Sequence, residues 1–249
     1  MTTVSAHYEE LLADLYPWML GDFAARVETE IGWLRGIVDP GWMGRSRSLA
    51  LDLGAGAGAG AIALARLGFG VVAVDASAKL GAEIRRRAAD AGLADDIEVV
   101  QSDLVAFLER RDAEPANLVV CLGDTLTHLA SPETVQRMLR AARRQTAMGG
   151  RLALSYRDLS NELNGIDRFF LVRSDESRLL TCFVEYLPER VIVHDLINTR
   201  THDGWDLRKS CYPKLRLPVD RVRAWLADAG FREVEGVPCG GGLVGLVAR

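Results

Sequence analysis

Apolar positions near the start of the chain recur at helical spacing. Leu11, Leu12, Leu15, Trp18 and Met19 share one face, interrupted by Pro17, and from Asp22 a second helix aligns Phe23, Val27, Ile31 and Leu34. This helical region covers about residues 5–38. Asp39-Pro40-Gly41 breaks it, and 44–47 is a polar approach to the first strand. Short apolar runs then alternate with helical patterns. Runs 49–53, 71–74, 97–100, 118–122 and 152–156 read as strands. Helices are expected over 59–67, over 80–91 (closed by Gly92), and from Ser131-Pro132-Glu133 to about 147. In the last, serine sits at the cap, proline at the first position and glutamate early. Gly149-Gly150 is read as the turn into the fifth strand. Alternation of this kind predicts an α/β fold with a mostly parallel sheet covered on both faces.

After Tyr156 the period changes to two. Runs 169–172, 179–186, 191–199 and one ending at Leu217 predict an antiparallel β meander, with turns at Ser174-Asp175, Pro188-Glu189 and Asp203-Gly204. It is either added to the sheet or laid over it. A helix over 220–229, stopped by Gly230, and two strands, 232–237 and 243–247, close the chain. The expected organisation is one domain, 1–249. It comprises a helical lid (1–45), a core (46–160), an antiparallel β insertion (166–217) forming part of a binding site, and a closing helix and strands (218–249).

Composition changes this picture little. Hydrophobic residues make up 49% and charged residues 26%, ordinary for a globular protein. The formal net charge of -4 gives no general grip on nucleic acid, whose phosphates call for a basic surface. The first 20 residues carry Glu9, Glu10 and Asp14 but no Lys or Arg, unlike a secretory leader. No long uncharged apolar run is present, since Arg66 and Asp75 break the best one. Cys121, Cys182, Cys211 and Cys239 lie far apart. No metal site, disulfide framework, membrane or nucleic-acid partner is therefore expected, and the cytoplasm is the expected location. Self-association is left open.

The chemical signal lies between the first strand and the following helix, in Asp52-Leu53-Gly54-Ala55-Gly56-Ala57-Gly58. Glycines there let the backbone turn tightly and a ligand approach it closely. Gly54, Gly56 and Ala59 also fit the dinucleotide pattern of nicotinamide enzymes. Three acids separate the readings. Asp52 before the loop suits a cationic ligand end, such as the ammonium of a methionine moiety, and would repel a pyrophosphate. Asp75 ends the second strand, where a carboxylate accepts from both ribose hydroxyls. Asp103 follows the third strand, in reach of an adenine amino group. Each has a plain structural alternative, the capping of a turn or helix.

The three acids at successive strand ends resemble the pattern of class I S-adenosylmethionine (SAM)-dependent methyltransferases, which implies a Rossmann-like, seven-stranded sheet. The resemblance extends to glycine N-methyltransferases and related small-amine enzymes. It is carried by Gly21-Asp22 with Arg26 and Trp33-Leu34, by Gly68-Phe69-Gly70-Val71 through Val74-Asp75-Ala76-Ser77, and by Tyr156-Arg157-Asp158. Cys121-Leu122-Gly123-Asp124-Thr125-Leu126-Thr127-His128-Leu129 resembles that family's CLGNSFAHL, and Ser210-Cys211-Tyr212-Pro213 its SYYP segment. It implies SAM as cofactor and S-adenosylhomocysteine (SAH) as product. It also implies Arg26 on the cofactor carboxylate, Asp75 and Ala76 at the ribose, and Asp103 and Leu104 at the adenine, where the family has Asn-Trp. Leu122 and Gly123 would line the methionine end through backbone groups, and Gly54, Gly56 and Gly58 of the loop would bind the cofactor.

Arg157 is expected to clamp a carboxylate on the acceptor, the alternative being an ion pair with Asp158 or Glu162. Asp124 replaces the family's asparagine and favours a cationic or hydrogen-bond-donating acceptor, which puts glycine itself in doubt. Asp124 or His128 is the candidate base, although a histidine at a helix start also bonds to backbone. Tyr212 either reaches the acceptor or is a buried sheet tyrosine. Tyr8, Tyr16 and Trp18 would cover the cofactor, their faces suiting a sulfonium, unless Trp18 is core. The expected reaction is methyl transfer to a small molecule, nitrogen preferred. Oxygen or sulfur acceptors, and a nicotinamide-dependent oxidoreductase, are the alternatives.

Overall fold

The structure is a computed structural model that describes residues 3–43 and 48–249. The polar approach expected at 44–47 lies outside the described residues. The N-terminal region is α1 (Val4–His7), a π-helical turn Tyr8–Leu12, α2 (Tyr16–Leu20) and α3 (Phe23–Arg35). Pro17 sits in the first turn of α2 rather than breaking a helix. In the first turn its missing N–H costs nothing. Asp22 caps α3 by accepting from the Ala25 N–H at 3.0 Å, a contact worth about 1 kcal/mol.

Strands and helices then alternate as β1 (Leu49–Leu53), α4 (Ala59–Arg66), β2 (Gly70–Asp75), α5 (Ala78–Asp90), β3 (Ile97–Gln101), α6 (Leu104–Arg110), β4 (Ala116–Cys121), α7 (Pro132–Gln145) and β5 (Thr146–Tyr156). Helix α6 is absent from the sequence expectation, because two turns are too short for a legible apolar stripe. Its start is nonetheless written in Asp103, which accepts from the Ala106 N–H at 2.8 Å. Gly149-Gly150 is not a turn. It lies inside β5, where the register with β4 shifts between Ala116 and Leu118. A side chain on Gly150 would meet the Asn117 carbonyl at 2.9 Å, so the pair makes a bulge.

The meander is β6 (Phe169–Ser174), β7 (Arg178–Tyr186), β8 (Arg190–Thr201) and β9 (Gly204–Leu215), followed by α8 (Val219–Asp228), β10 (Val234–Val237) and β11 (Val244–Ala248). The main sheet has seven strands in the order β10-β11-β5-β4-β1-β2-β3. Strands β1 to β5 are parallel; β11 and β10 are antiparallel to their neighbours. One face buries Val27, Ile31 and Leu34 of α3 with Ile62 and Ile84. The other buries Val105 and Leu108 of α6 with residues of α7 and α8. The meander is a second sheet of order β6-β7-β8-β9 rather than an extension of the first. Between β1 and β4 the strand order reverses, and the carboxyl ends there form the crevice in which such sheets bind ligands. Among the described residues, no helix is long and apolar enough to cross a membrane.

Candidate active site

A cavity of about 1330 Å³ lies over this crevice, with walls from the main sheet, the N-terminal helices and the meander. Its first half is built on the glycine loop. Gly54 has φ +71°, and a side chain there would collide with Thr125. Gly56 donates to Asp75 Oδ2 at 2.8 Å, and the Ser77 N–H donates to Oδ1 at 2.9 Å. Asp75 therefore ties the loop to the start of α5, while each oxygen keeps lone-pair capacity toward the cavity. Burial pushes its carboxyl above the usual range against these two bonds.

Asp52 is almost completely enclosed, 1% exposed, and its Oδ2 has no hydrogen-bond partner. Burial, then the neighbouring Glu30 and Asp75, push its carboxyl up to about 7. A side chain on Gly60 would stand 2.9 Å from that Oδ2, so the glycine keeps the approach to Asp52 open. Glu30 lines the same space and pairs with Arg26 across one helical turn at 2.7 Å. Tyr16 covers the loop, with ring atoms 3.4 Å from where a Gly56 side chain would stand. Ala76, Asp103, Leu104, Leu122 and Gly123 complete this half. The Gly123 N–H is already spent on Ser155 Oγ at 2.8 Å and the Leu122 carbonyl accepts from Thr125 at 3.2 Å, so these two residues offer shape more than free hydrogen bonds.

The second half centres on Asp124. Its Oδ1 accepts from the Arg157 N–H at 3.1 Å and its Oδ2 from Lys214 Nζ at 2.8 Å, with Arg157 Nε at 3.6 Å. Burial alone would raise its carboxyl, but the charge and hydrogen bond of Lys214, with Arg157 behind, bring it down to about 2. His128 is half-buried at the end of the turn Thr125–His128. Desolvation, then the Lys214 charge, hold it down to about 3, so it is a neutral imidazole. Its Nε2 has no hydrogen-bond partner. Tyr212 is both of the things expected: 5% exposed in β9 and part of the cavity wall. Its ring lies 4.3 Å from that of His7 and 5.6 Å from that of His128.

Three expectations change. Gly58 caps α4 at φ +91° and faces Ile84 rather than the cavity; Gly60, which sequence reasoning passed over, lines it instead. Trp18 does not cover the site. Its indole donates to Asp175 at 2.5 Å beside Arg173 and Arg178, joining α2 to the meander. Asp124 is not a free base, because both oxygens are engaged. Arg157 pairs with Asp124 and the Gly241 carbonyl rather than with Asp158 or Glu162. Asp103 spends Oδ1 on capping α6 and still borders the cavity. Glu30 and Lys214 were also missed. An i,i+4 Arg-Glu pair reads as a solvated helix face, and a lysine in a strand carries no signal of the partner it meets.

Gly54 offers a direct test. Gly54→Ala is expected to cost about 3 kcal/mol of stability, combining left-handed strain of about 1 kcal/mol with overlap on Thr125. Urea unfolding measures it, and Gly54→Ala combined with Thr125→Ala should recover about half. A single variant as stable as the parent would contradict the loop geometry.

A buried, unpartnered carboxylate oxygen under a cradle of glycines fits an ammonium group. Asp75 fits a diol, and Arg26 fits a carboxylate. These are the groups of SAM. Residues 50–150 match a family model described as a methyltransferase domain. Among solved structures, the chain is similar to the CcbJ methyltransferase from Streptomyces caelestis at 18% identity and TM-score 0.74, covering 99% of this chain and 96% of that one. It is similar to SAM-bound CalS10, an amino pentose methyltransferase from Micromonospora echinaspora, at 18% identity and TM-score 0.73, with 94% of each chain covered. It is also similar to the sugar N-methyltransferase KedS8 from Streptoalloteichus sp. at 19% identity and TM-score 0.70, over 94% of this chain and 90% of that one. No curated protein matches the chain. Residues 50–150 thus match a methyltransferase domain, with Asp52, the glycine loop, Asp75 and Asp103 inside the matched segment, and the chain around them has the fold of those methyltransferases.

Proposed function

We propose that this protein methylates a nitrogen atom on a small molecule that also carries a carboxylate or comparable anion. The observation that carries this reading is the trio around Asp124. Lys214 and Arg157 together bring two positive charges to the Asp124 carboxylate, and of the two Arg157 is the one still open to the cavity. Arg157 lines that end with its guanidinium half exposed, able to turn to a second anion. Nitrogen is favoured because Asp124 and His128 present acceptors to an N–H, and KedS8 and CalS10 are described as acting on a sugar nitrogen and an amino pentose.

SAM supplies a methyl group already activated on a sulfonium, so the chain's task is alignment in a dry pocket. Asp52 and Glu30 receive the ammonium, Arg26 the carboxylate, and Asp75 the ribose. Asp124 and His128 orient the acceptor N–H. At about 2 and about 3, neither is basic enough to keep the proton of an alkylammonium, which passes to water.

Calorimetric titration with SAM tests the cofactor half. An intact fold that takes up no SAM at millimolar concentration would end the proposal. Arg157→Ala tests the acceptor half. It is expected to raise the acceptor KM about tenfold or more while SAM affinity stays within a factor of two. Equal losses in both would remove Arg157 from the acceptor site.

A further inference from the structure

The cavity is larger than cofactor and a compact amine require. At about 1330 Å³ it exceeds the ~1,000 Å³ upper end of a site for one drug-sized ligand. Its outer part is bordered by large apolar side chains left in contact with solvent. Leu163, Phe170 and Val172 all line the cavity and are 43%, 41% and 40% exposed. Monomeric proteins rarely leave such side chains clustered in a concave surface without an occupant.

The register of the meander explains why they face inward. Phe170 stands opposite Cys182 in the β6–β7 pair, and side chains directly opposite share a face. That face continues through Val184 and Val193 to Tyr212, all of which line the cavity. Val172 sits at the bulge between Leu171 and Arg173 and joins the same wall. Leu171 points to the other side of the strand and is outside the cavity. The polar groups on the inner face are already satisfied by protein. Asp195 is held by His7 at 2.9 Å and Cys182 at 2.7 Å, and Lys214 by Asp124. The exposed part of the wall is therefore mainly apolar, with Asp167 and Arg190 as charged groups at its border, and it lines the same cavity as the charged trio at Asp124.

We infer that the acceptor has an extended apolar body, which rests on Leu163, Phe170 and Val172 while its amine and anionic group reach Asp124 and Arg157. Glycine would leave this wall wet. A ligand covering it removes apolar surface from water. This rests on the methyl-transfer reading of the cavity and adds the size and polarity of the substrate.

Anilinonaphthalene sulfonate, an aromatic body bearing one anion, is a suitable probe in the SAH-loaded protein. Saturable fluorescence is expected, weakened at least tenfold in Phe170→Ser combined with Val172→Ser and unchanged in Leu171→Ser. SAH affinity, measured in parallel by calorimetry, should be the same in all three. The exposed position of all three side chains leaves the fold intact in the variants. Failure of SAH to bind would count against the methyltransferase site itself. Normal SAH binding without probe binding would overturn the apolar-body inference. So would probe binding that falls equally in Leu171→Ser, which would assign the apolar strand to a partner surface. Glycine turned over with a KM below that of phenylalanine would also overturn it.

Discussion

Asp52→Asn is expected to weaken SAH binding by about a hundredfold while making the ligand-free protein more stable at pH 8. The two effects have one cause. Asp52 is enclosed, its Oδ2 lacks a partner, and Glu30 and Asp75 repel its charge. Removing one member of a buried, hydrogen-bonded charge pair costs about 3 kcal/mol, which at 1.36 kcal/mol per decade gives the expected loss. In the absence of ligand the same charge opposes folding. The folded carboxyl titrates at about 7 instead of 3.8, so the folded state holds the proton more tightly than the unfolded chain. This contribution is fully present below 3.8 and is lost as pH rises to about 7, on the order of 4 kcal/mol in all.

Asparagine removes the ionisation and with it most of that pH dependence. A rise of about 10 °C in Tm at pH 8 is expected for a chain of this size. The parent protein should also bind SAH more weakly as pH falls below about 7, approaching tenfold per pH unit, because the cationic ligand must displace a proton from Asp52. Calorimetry in two buffers of different ionisation enthalpy reads that proton directly. An Asp52→Asn affinity within threefold of the parent would refute the ammonium assignment.

The second large effect is expected at Lys214. Lys214→Met leaves Asp124 with one bonded backbone N–H and the more distant Arg157 guanidinium. The pair is mostly enclosed, with side chains 11% and 20% exposed, so solvent screens it little. The Asp124 carboxyl lies at about 2 against 3.8 in the unfolded chain. The stability from this shift is present above 3.8 and lost as pH falls through about 2. Lys214→Met should therefore cost about 2 kcal/mol at neutral pH, and less in acid. A double-mutant cycle with Asp124→Asn in urea isolates the pair, with a coupling of about 2 kcal/mol expected. A coupling under about 0.5 kcal/mol would mean that the lysine merely packs there. The acceptor KM should rise with the loss of the pair, since the Asp124 carboxylate then draws Arg157 onto itself.

Much of this architecture was open to inspection in the chain. Strand β1 is legible in the apolar run Leu49–Leu53, α3 in Asp22 and the stripe Phe23, Val27, Ile31 and Leu34, and α7 in Ser131-Pro132. Gly54 marks a loop that tolerates no side chain, and Asp52, Asp75 and Asp103 mark the ends of three successive strands. These signals are local. Side-chain period, cap chemistry and left-handed backbone act within a few residues, so they survive in one dimension.

The tertiary structure decided what depends on residues distant in sequence meeting in space. Asp124 meets Lys214 across 90 positions, and His7 meets Asp195 across 188. The first contact turned an expected base into a pinned carboxylate. The distinction between Gly58 and Gly60 depended on which side of α4 faces the cavity. Whether Phe170 or Leu171 faces the site was fixed by strand register, since one residue of slip exchanges the two faces. Sequence alone thus determined the glycine loop, the acids around it and the α/β frame. Packing decided the charge of the acceptor site, because a carboxylate's basicity is set by the burial and cations that only the folded chain brings to it.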